Sequence, residues 1–142
     1  MKNNIGHNFE LRIASWLKRE GYYYERFFDS RSAGFISAAR PADYFVYHNR
    51  QLYYLELKER QSDKISYADL TQLKKLISLY KYDILSYFII GFNKGKDIIV
   101  ISSKVLYHHI KHASTKKHIT MEETLKKGFK LKSSSELALF LK

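Results

Sequence analysis

The sequence predicts an α/β domain in which a mixed β-sheet is flanked by helices and the first helix precedes any strand. Three observations carry this prediction. Apolar residues Ile5, Phe9, Ile13, Trp16 and Leu17 recur at helical spacing near the start of the chain. Five aromatic or β-branched runs follow, at Tyr22–Phe28, Asp43–Tyr47, Leu52–Lys58, Ile84–Phe92 and Ile98–Ser102. A second helical pattern, Leu70, Leu73, Leu76, Ile77 and Tyr80, separates the third run from the fourth.

Each element has local support. Asn4 is placed to cap the first helix and Gly21 to end it. The small, polar and basic stretch from Asp29 to Pro41 reads as a loop, and Asn49-Arg50 as the tight turn joining the second and third strands. Ser66 with Asp69 three residues on has the form of a capping box that opens the second helix. Asn93-Lys94-Gly95-Lys96 turns the fourth strand into the fifth. A short helix is expected over Lys104–Lys111, and another from Thr120, where Thr120 and Glu123 form a second capping box. The tail from Ser133 fits a helix or a strand.

Composition narrows the function. A chain of 142 residues with no obvious linker or internal repeat is expected to be one domain, residues 1–142. Without cysteine it has neither a disulfide framework nor a thiolate metal site, which suits a reducing cytoplasm. The longest apolar run, Tyr87–Phe92, is too short to span a membrane, and no signal-peptide core opens the chain, so a soluble protein is expected. Lys and Arg number 25 against 14 acidic residues, a formal net charge of +11. Such an excess points to polyanionic partners, nucleic acid foremost.

The sharper signal lies in the hairpin. A turn at Asn49-Arg50 makes opposed residues sum to 99, so Tyr47 faces Leu52 and Asp43 faces Glu56 on one side of the sheet. Lys58, two residues beyond Glu56, shares that side. Two opposed carboxylates repel each other and destabilise a sheet unless something neutralises them. Mg²⁺ or Mn²⁺ favours such oxygen donors, and a neighbouring lysine suits phosphate or water chemistry.

Pro41-Ala42-Asp43 followed by Glu56-Leu57-Lys58 resembles the signature of the PD-(D/E)XK nuclease superfamily. That resemblance implies a restriction-endonuclease-like core in the order α-β-β-β-α-β-β and Mg²⁺-dependent phosphodiester hydrolysis. Asp43, Glu56 and the backbone carbonyl of Leu57 would hold the metal, Glu10 on the first helix would complete its shell, and Lys58 would position or activate water. Within the superfamily the chain is most similar to RecU-type Holliday-junction resolvases. Gly6–Glu10, the Asp43-Tyr44 to Glu59 region, and Gln72 followed by Tyr87–Phe92 carry the likeness, with a weaker echo in Lys116-Lys117-His118-Ile119-Thr120. This implies a homodimer acting on four-way or other branched DNA, with Gln72 near Lys58.

The Asp29–Pro41 loop is shorter than the family's insertion, and Leu57 stands where alanine is usual. A nuclease for duplex, flap or end substrates, and a non-catalytic nucleic-acid-binding module, therefore stay open. Arg31 and Arg40 in the loop, with Lys116 and Lys117 downstream, are expected to contact DNA phosphates. The twelve tyrosines alternate along strands and are assigned to the core. His108, His109, His112 and His118 lack the tight spacing of a zinc site.

Overall fold

The computed structural model describes residues 5–27, 40–113 and 116–142. The loop assigned to Asp29–Pro41, with Arg31, and the cap assigned to Asn4 lie outside those residues, apart from Arg40 and Pro41. Among the described residues, α1 (Ile5–Arg19), β1 (Tyr23–Arg26), β2 (Tyr44–His48), β3 (Gln51–Glu59), β4 (Lys64–Ser66), α2 (Leu73–Ser78) and β5 (Ile84–Gly91) come first. They are followed by α3 (Phe92–Gly95), β6 (Asp97–Ser102), α4 (Ser103–Lys111), β7 (His118–Thr120), α5 (Met121–Lys127) and β8 (Phe129–Leu131). Tyr67–Asp69, Tyr80–Tyr82 and Ser134–Leu139 are 3₁₀ turns.

Six strands form one sheet in the order β1-β2-β3-β5-β6-β8, while β4 and β7 make a separate two-stranded ribbon. Only β3 and β5 run parallel; the other pairs in both sheets are antiparallel. A parallel pair needs a crossover, and β4, α2 and the turns beside them supply it. The mixed α/β architecture and the order of its first seven principal elements agree with expectation. β4, β7 and β8 are additions that the sequence reading did not contain.

The helix expected from Ser66 is broken in two. Ser66 does cap, accepting the Ala68 N–H, but only for the turn Tyr67–Asp69. Asp69 does not complete the box: its carboxylate pairs with Arg60 at 3.1 Å. Leu70 then leaves helical geometry at φ −103°, ψ 47°, burying its side chain, and α2 starts only at Leu73. Elsewhere the local signals hold. Gly21 ends α1 at φ +79°, a conformation that glycine adopts without steric cost. Thr120 and Glu123 form the reciprocal capping box of α5, and the tail from Ser133 resolves as a capped 3₁₀ turn.

Two apolar layers enclose the sheet. On one face, Phe9, Ile13 and Leu17 of α1 pack on Tyr44, Val46, Tyr53, Leu55, Leu57 and Ile89, closed by Leu137, Phe140 and Leu141. Here α1 lies so near β5 that a Cβ on Gly91 would come within 2.8 Å of the Phe9 ring. On the other face, Leu73 and Leu76 of α2 and Leu106 of α4 cover Phe88, Ile90, Ile99 and Ile101. Among the described residues no helix is long and apolar enough to cross a membrane.

Candidate active site

The hairpin turn sets the site. Asn49 and Arg50 both have positive φ, 50° and 65°, the mirror-image turn whose twist matches the flanking strands. The Asn49 side-chain amide also donates to the Lys142 carbonyl at 2.9 Å, tying the turn to the chain's last residue. From it the register runs His48↔Gln51, Tyr47↔Leu52, Phe45↔Tyr54 and Tyr44↔Leu55. The ladder ends at Tyr44↔Leu55, and the Asp43 and Glu56 side chains come close just beyond it.

Asp43 stands just before β2 and ends the ladder with its side chain. Its N–H donates to Leu55 O at 3.1 Å, and its Oδ2 accepts the Leu57 N–H at 2.8 Å. A strand residue directs its N–H and C=O to the same neighbour, so the Leu57 carbonyl is turned toward Asp43 as well. The Leu57 side chain is buried on the opposite face, under α1.

The two acids are only 4% and 5% exposed, Asp43 and Glu56 respectively, and the charge of Asp43 acts on the Glu56 carboxyl. Burial, and then the charge of Asp43, push the Glu56 carboxyl up to about 8 against the pull of Lys58. Lys58 Nζ lies 3.4 Å from Glu56 Oε2, and Arg40 Nη2 lies 2.7 Å from Asp43 Oδ1. Two buried carboxyls flanked by two cationic heads form an oxygen-rich cluster. Hard oxygen donors under mutual repulsion are the donor set that a small divalent cation relieves, so the residues fit such an ion.

The other expected residues are placed differently. Glu10 lies on the α1 side, its Oε2 3.5 Å from Arg26 Nε, and its charge helps raise the Tyr44 phenol pKa, an effect led by burial. Among the described residues no three His, Asp or Glu side chains converge as a metal-holding group, so Glu10 does not complete a cluster with Asp43 and Glu56. Gln72 immediately precedes α2, half-buried, and its side chain makes no hydrogen bond to Asp43, Glu56 or Lys58. Lys116 binds Glu123 of α5 at 3.2 Å, and the Lys117 carbonyl accepts the Tyr67 N–H. Neither lysine is among the partners of the carboxyl pair. Arg40, expected to contact phosphate, pairs with Asp43; the i, i+3 spacing across Pro41 was the available signal.

Fold and register together define a restriction-endonuclease-like architecture, with its acid pair and lysine on one face at the end of the β2–β3 hairpin. Among solved structures, the chain is similar to Archaeoglobus fulgidus Hjc, a Holliday junction resolvase from an archaeal hyperthermophile. The TM-score is 0.63 at 16% sequence identity, covering 88% of this chain and 95% of that one. At that identity the likeness is one of fold. No protein-family model matches the sequence, and no curated protein matches it.

Proposed function

We propose that this chain is a Mg²⁺-dependent endodeoxyribonuclease that resolves branched DNA. The observation that carries the reading is the buried Asp43–Glu56 pair with Lys58 beside it, on a fold shared with a junction resolvase. A bound Mg²⁺ would supply neutralisation of phosphate charge and a lowered water pKa. Asp43, Glu56 and the Leu57 carbonyl would hold it, with Glu10 reaching the shell through water.

In this reading Lys58 orients the attacking water or donates to a non-bridging phosphate oxygen, as its position beside Glu56 allows. Arg40, once released from Asp43, faces the same space and meets the phosphate. Water adds to phosphorus, the P–O3′ bond breaks, and the proton lost by water is balanced by the one gained at the 3′-oxygen. The product ends are a 5′-phosphate and a 3′-hydroxyl. Symmetric resolution of a four-way junction requires two such sites, hence a homodimer, and the net charge of +11 suits phosphate-rich DNA.

Cleavage of labelled four-way, flap, linear duplex and single-stranded DNA, each with and without Mg²⁺, tests the reading. Paired nicks placed symmetrically about a four-way branch, seen only with the metal, are expected. Nicks scattered along linear arms at equal rate would leave a general nuclease, and no cleavage of any substrate would leave a binding module.

A further inference from the structure

The sheet face that carries Asp43 and Glu56 does not end with them. Antiparallel register places residues in rows across β1, β2 and β3. Tyr23, Tyr47 and Leu52 form one row, and Glu25, Phe45 and Tyr54 the next. On the β1 side the Phe27 N–H donates to the Asp43 carbonyl at 2.9 Å, extending that pairing to Phe27 and Asp43. Neighbouring strands are about 4.8 Å apart and same-face residues about 6.8 Å apart along a strand. Phe27 and Phe45 are thus rooted one step from the carboxyl pair, in two directions.

These rings form a connected surface. Phe27 meets Phe45 at 5.5 Å and Tyr54 edge-on at 4.9 Å, and Tyr23 meets Phe45 at 6.2 Å. Phe27, Phe45, Leu52 and Tyr54 line a shallow pocket of about 260 Å³. Tyr23 and Tyr47 beyond it are 59% and 49% exposed. α2 and α4 cover Phe88, Ile90, Ile99 and Ile101 of the neighbouring strands, but this aromatic surface stays only partly buried. A partly exposed face of rings that no helix among the described residues covers, with Arg40 and Lys58 at its catalytic end, combines stacking surface with phosphate-binding charge. That pairing is how single-stranded nucleic acid is gripped without reading its sequence.

We infer that Phe27, Phe45 and Tyr54 form a stacking platform for unpaired bases of the DNA strand whose phosphate enters the Asp43–Glu56 site. The inference rests on the nuclease reading and deepens it. The substrate is DNA whose strand is unpaired next to the scissile phosphate, as at a fork or an opened branch point. A polyanion suits this face, since Arg40 and Lys58 border it and the chain carries a net charge of +11.

The test is fluorescence anisotropy in chelator, without metal, comparing a duplex that carries an unpaired tail with a fully paired duplex of equal length. The proteins are wild type, Phe45→Ala, Phe45→Leu and Phe45→Trp, each checked for folding by its melt. Wild type and Phe45→Trp should prefer the tailed DNA. Phe45→Ala and Phe45→Leu should each lose roughly 5- to 100-fold of affinity for it. The slope of log affinity on log salt should not change, because no phosphate contact is removed.

An unchanged tail preference in Phe45→Ala and Phe45→Leu would overturn the platform. So would sedimentation showing that either substitution dissolves a dimer in the absence of DNA, which would make the face a self-association surface. Cleavage of the same DNAs in Mg²⁺ keeps the two readings apart. Intact cleavage with no tail preference removes only the platform, whereas a Phe45-dependent preference without cleavage supports the platform and removes only the nuclease.

Discussion

The two halves of the central sheet are built to different rules. In β5 and β6, residues pointing both ways are buried: Phe88 and Ile90 under α2 and α4, Ile89, Ile98 and Val100 on the α1 side. The strands there read as continuous apolar runs, as strands covered on both faces do. In β2 and β3 one face carries Tyr44, Val46, Tyr53, Leu55 and Leu57 against α1, while the other carries Asp43, Phe45, Tyr47, Tyr54, Glu56 and Lys58. The first half supplies the cohesion that lets the second hold two carboxyls in an arrangement that costs stability.

Substitutions should separate the halves. Asp43→Asn should reduce Mg²⁺-dependent cleavage by at least about 10³-fold, the scale of losing a group that acts in the chemical step. Its melting temperature should change little, since the amide oxygen can still accept the Leu57 N–H that ties the strand end. Cleavage near the wild-type rate would remove Asp43 from the site. Phe88→Ala, in the covered half, should do the reverse, costing about 3–5 kcal/mol by chemical denaturation, as deletion of a fully buried ring does. Phe45→Ala should cost well under that, its ring being only partly buried. Equal losses from Phe88 and Phe45 would erase the distinction between the halves.

The halves also differ in how much the sequence discloses. Alternation in Asp43–Tyr47 and Leu52–Lys58, with a turn at Asn49-Arg50, sufficed for the register from His48↔Gln51 to Tyr44↔Leu55, because a period of two leaves one register once the turn is known; Asp43 lies one residue past that ladder, its N–H on the Leu55 carbonyl. The three-residue strands β4, β7 and β8 span too few residues to show any period, and pairing partners far along the chain define them. The Ser66–Asp69 pattern misled because Arg60, distant from local helix signals, claims the Asp69 carboxylate. The same pattern at Ser133–Glu136 opens a 3₁₀ turn, the Glu136 carboxylate accepting the Ser133 N–H at 3.1 Å. The expectation that the tyrosines mostly serve the core does not hold at the strand residues Tyr23 and Tyr47 or at Tyr82, since alternation tells which residues share a face but not whether a helix covers it.

Glu56→Gln should stabilise the metal-free protein at neutral pH, by about 1–3 kcal/mol. The amide keeps the shape and can still accept from Lys58 while donating to Asp43, and it removes a charge that burial and Asp43 oppose. The sign of the pH dependence follows. Between the ordinary 4.5 and about 8 the unfolded chain releases the Glu56 proton and the folded chain retains it. Wild-type stability therefore falls as pH rises through that window, relative to the glutamine variant. Adding Mg²⁺ should reverse the ranking, because wild type gains the binding energy of the ion and the variant gains less. Thermal melts with chelator and with Mg²⁺ check both. A variant less stable than wild type in chelator would mean that the carboxyl pair is not strained.

The smallest effect concerns an acid behind the covered half, and its slope has the opposite sign. Glu123 Oε1 accepts the Thr120 N–H at 3.1 Å, and Oε2 lies 3.2 Å from Lys116 Nζ and 3.5 Å from His109 Nε2. The Thr120 backbone bond above all, helped by Lys116, holds the Glu123 carboxyl below its usual range although burial opposes it. A depressed folded pKa contributes stability that is complete above the ordinary value of 4.5 and disappears as pH falls through the folded value. His109 is also shifted down, chiefly by burial, so its own loss of stability begins nearer its ordinary 6.5 and precedes that of Glu123. Glu123→Gln keeps a side-chain oxygen for the capping box but cannot titrate. Wild type should exceed it by less than about 1 kcal/mol above pH 5, the partly exposed carboxylate being screened, and the two should converge below pH 4. Denaturant midpoints of both proteins from pH 3 to 7 measure the difference directly. A gap that widens on acidification would show that Glu123, like Glu56, is held against its charge, and the contrast between the two halves would fail at its electrostatic level.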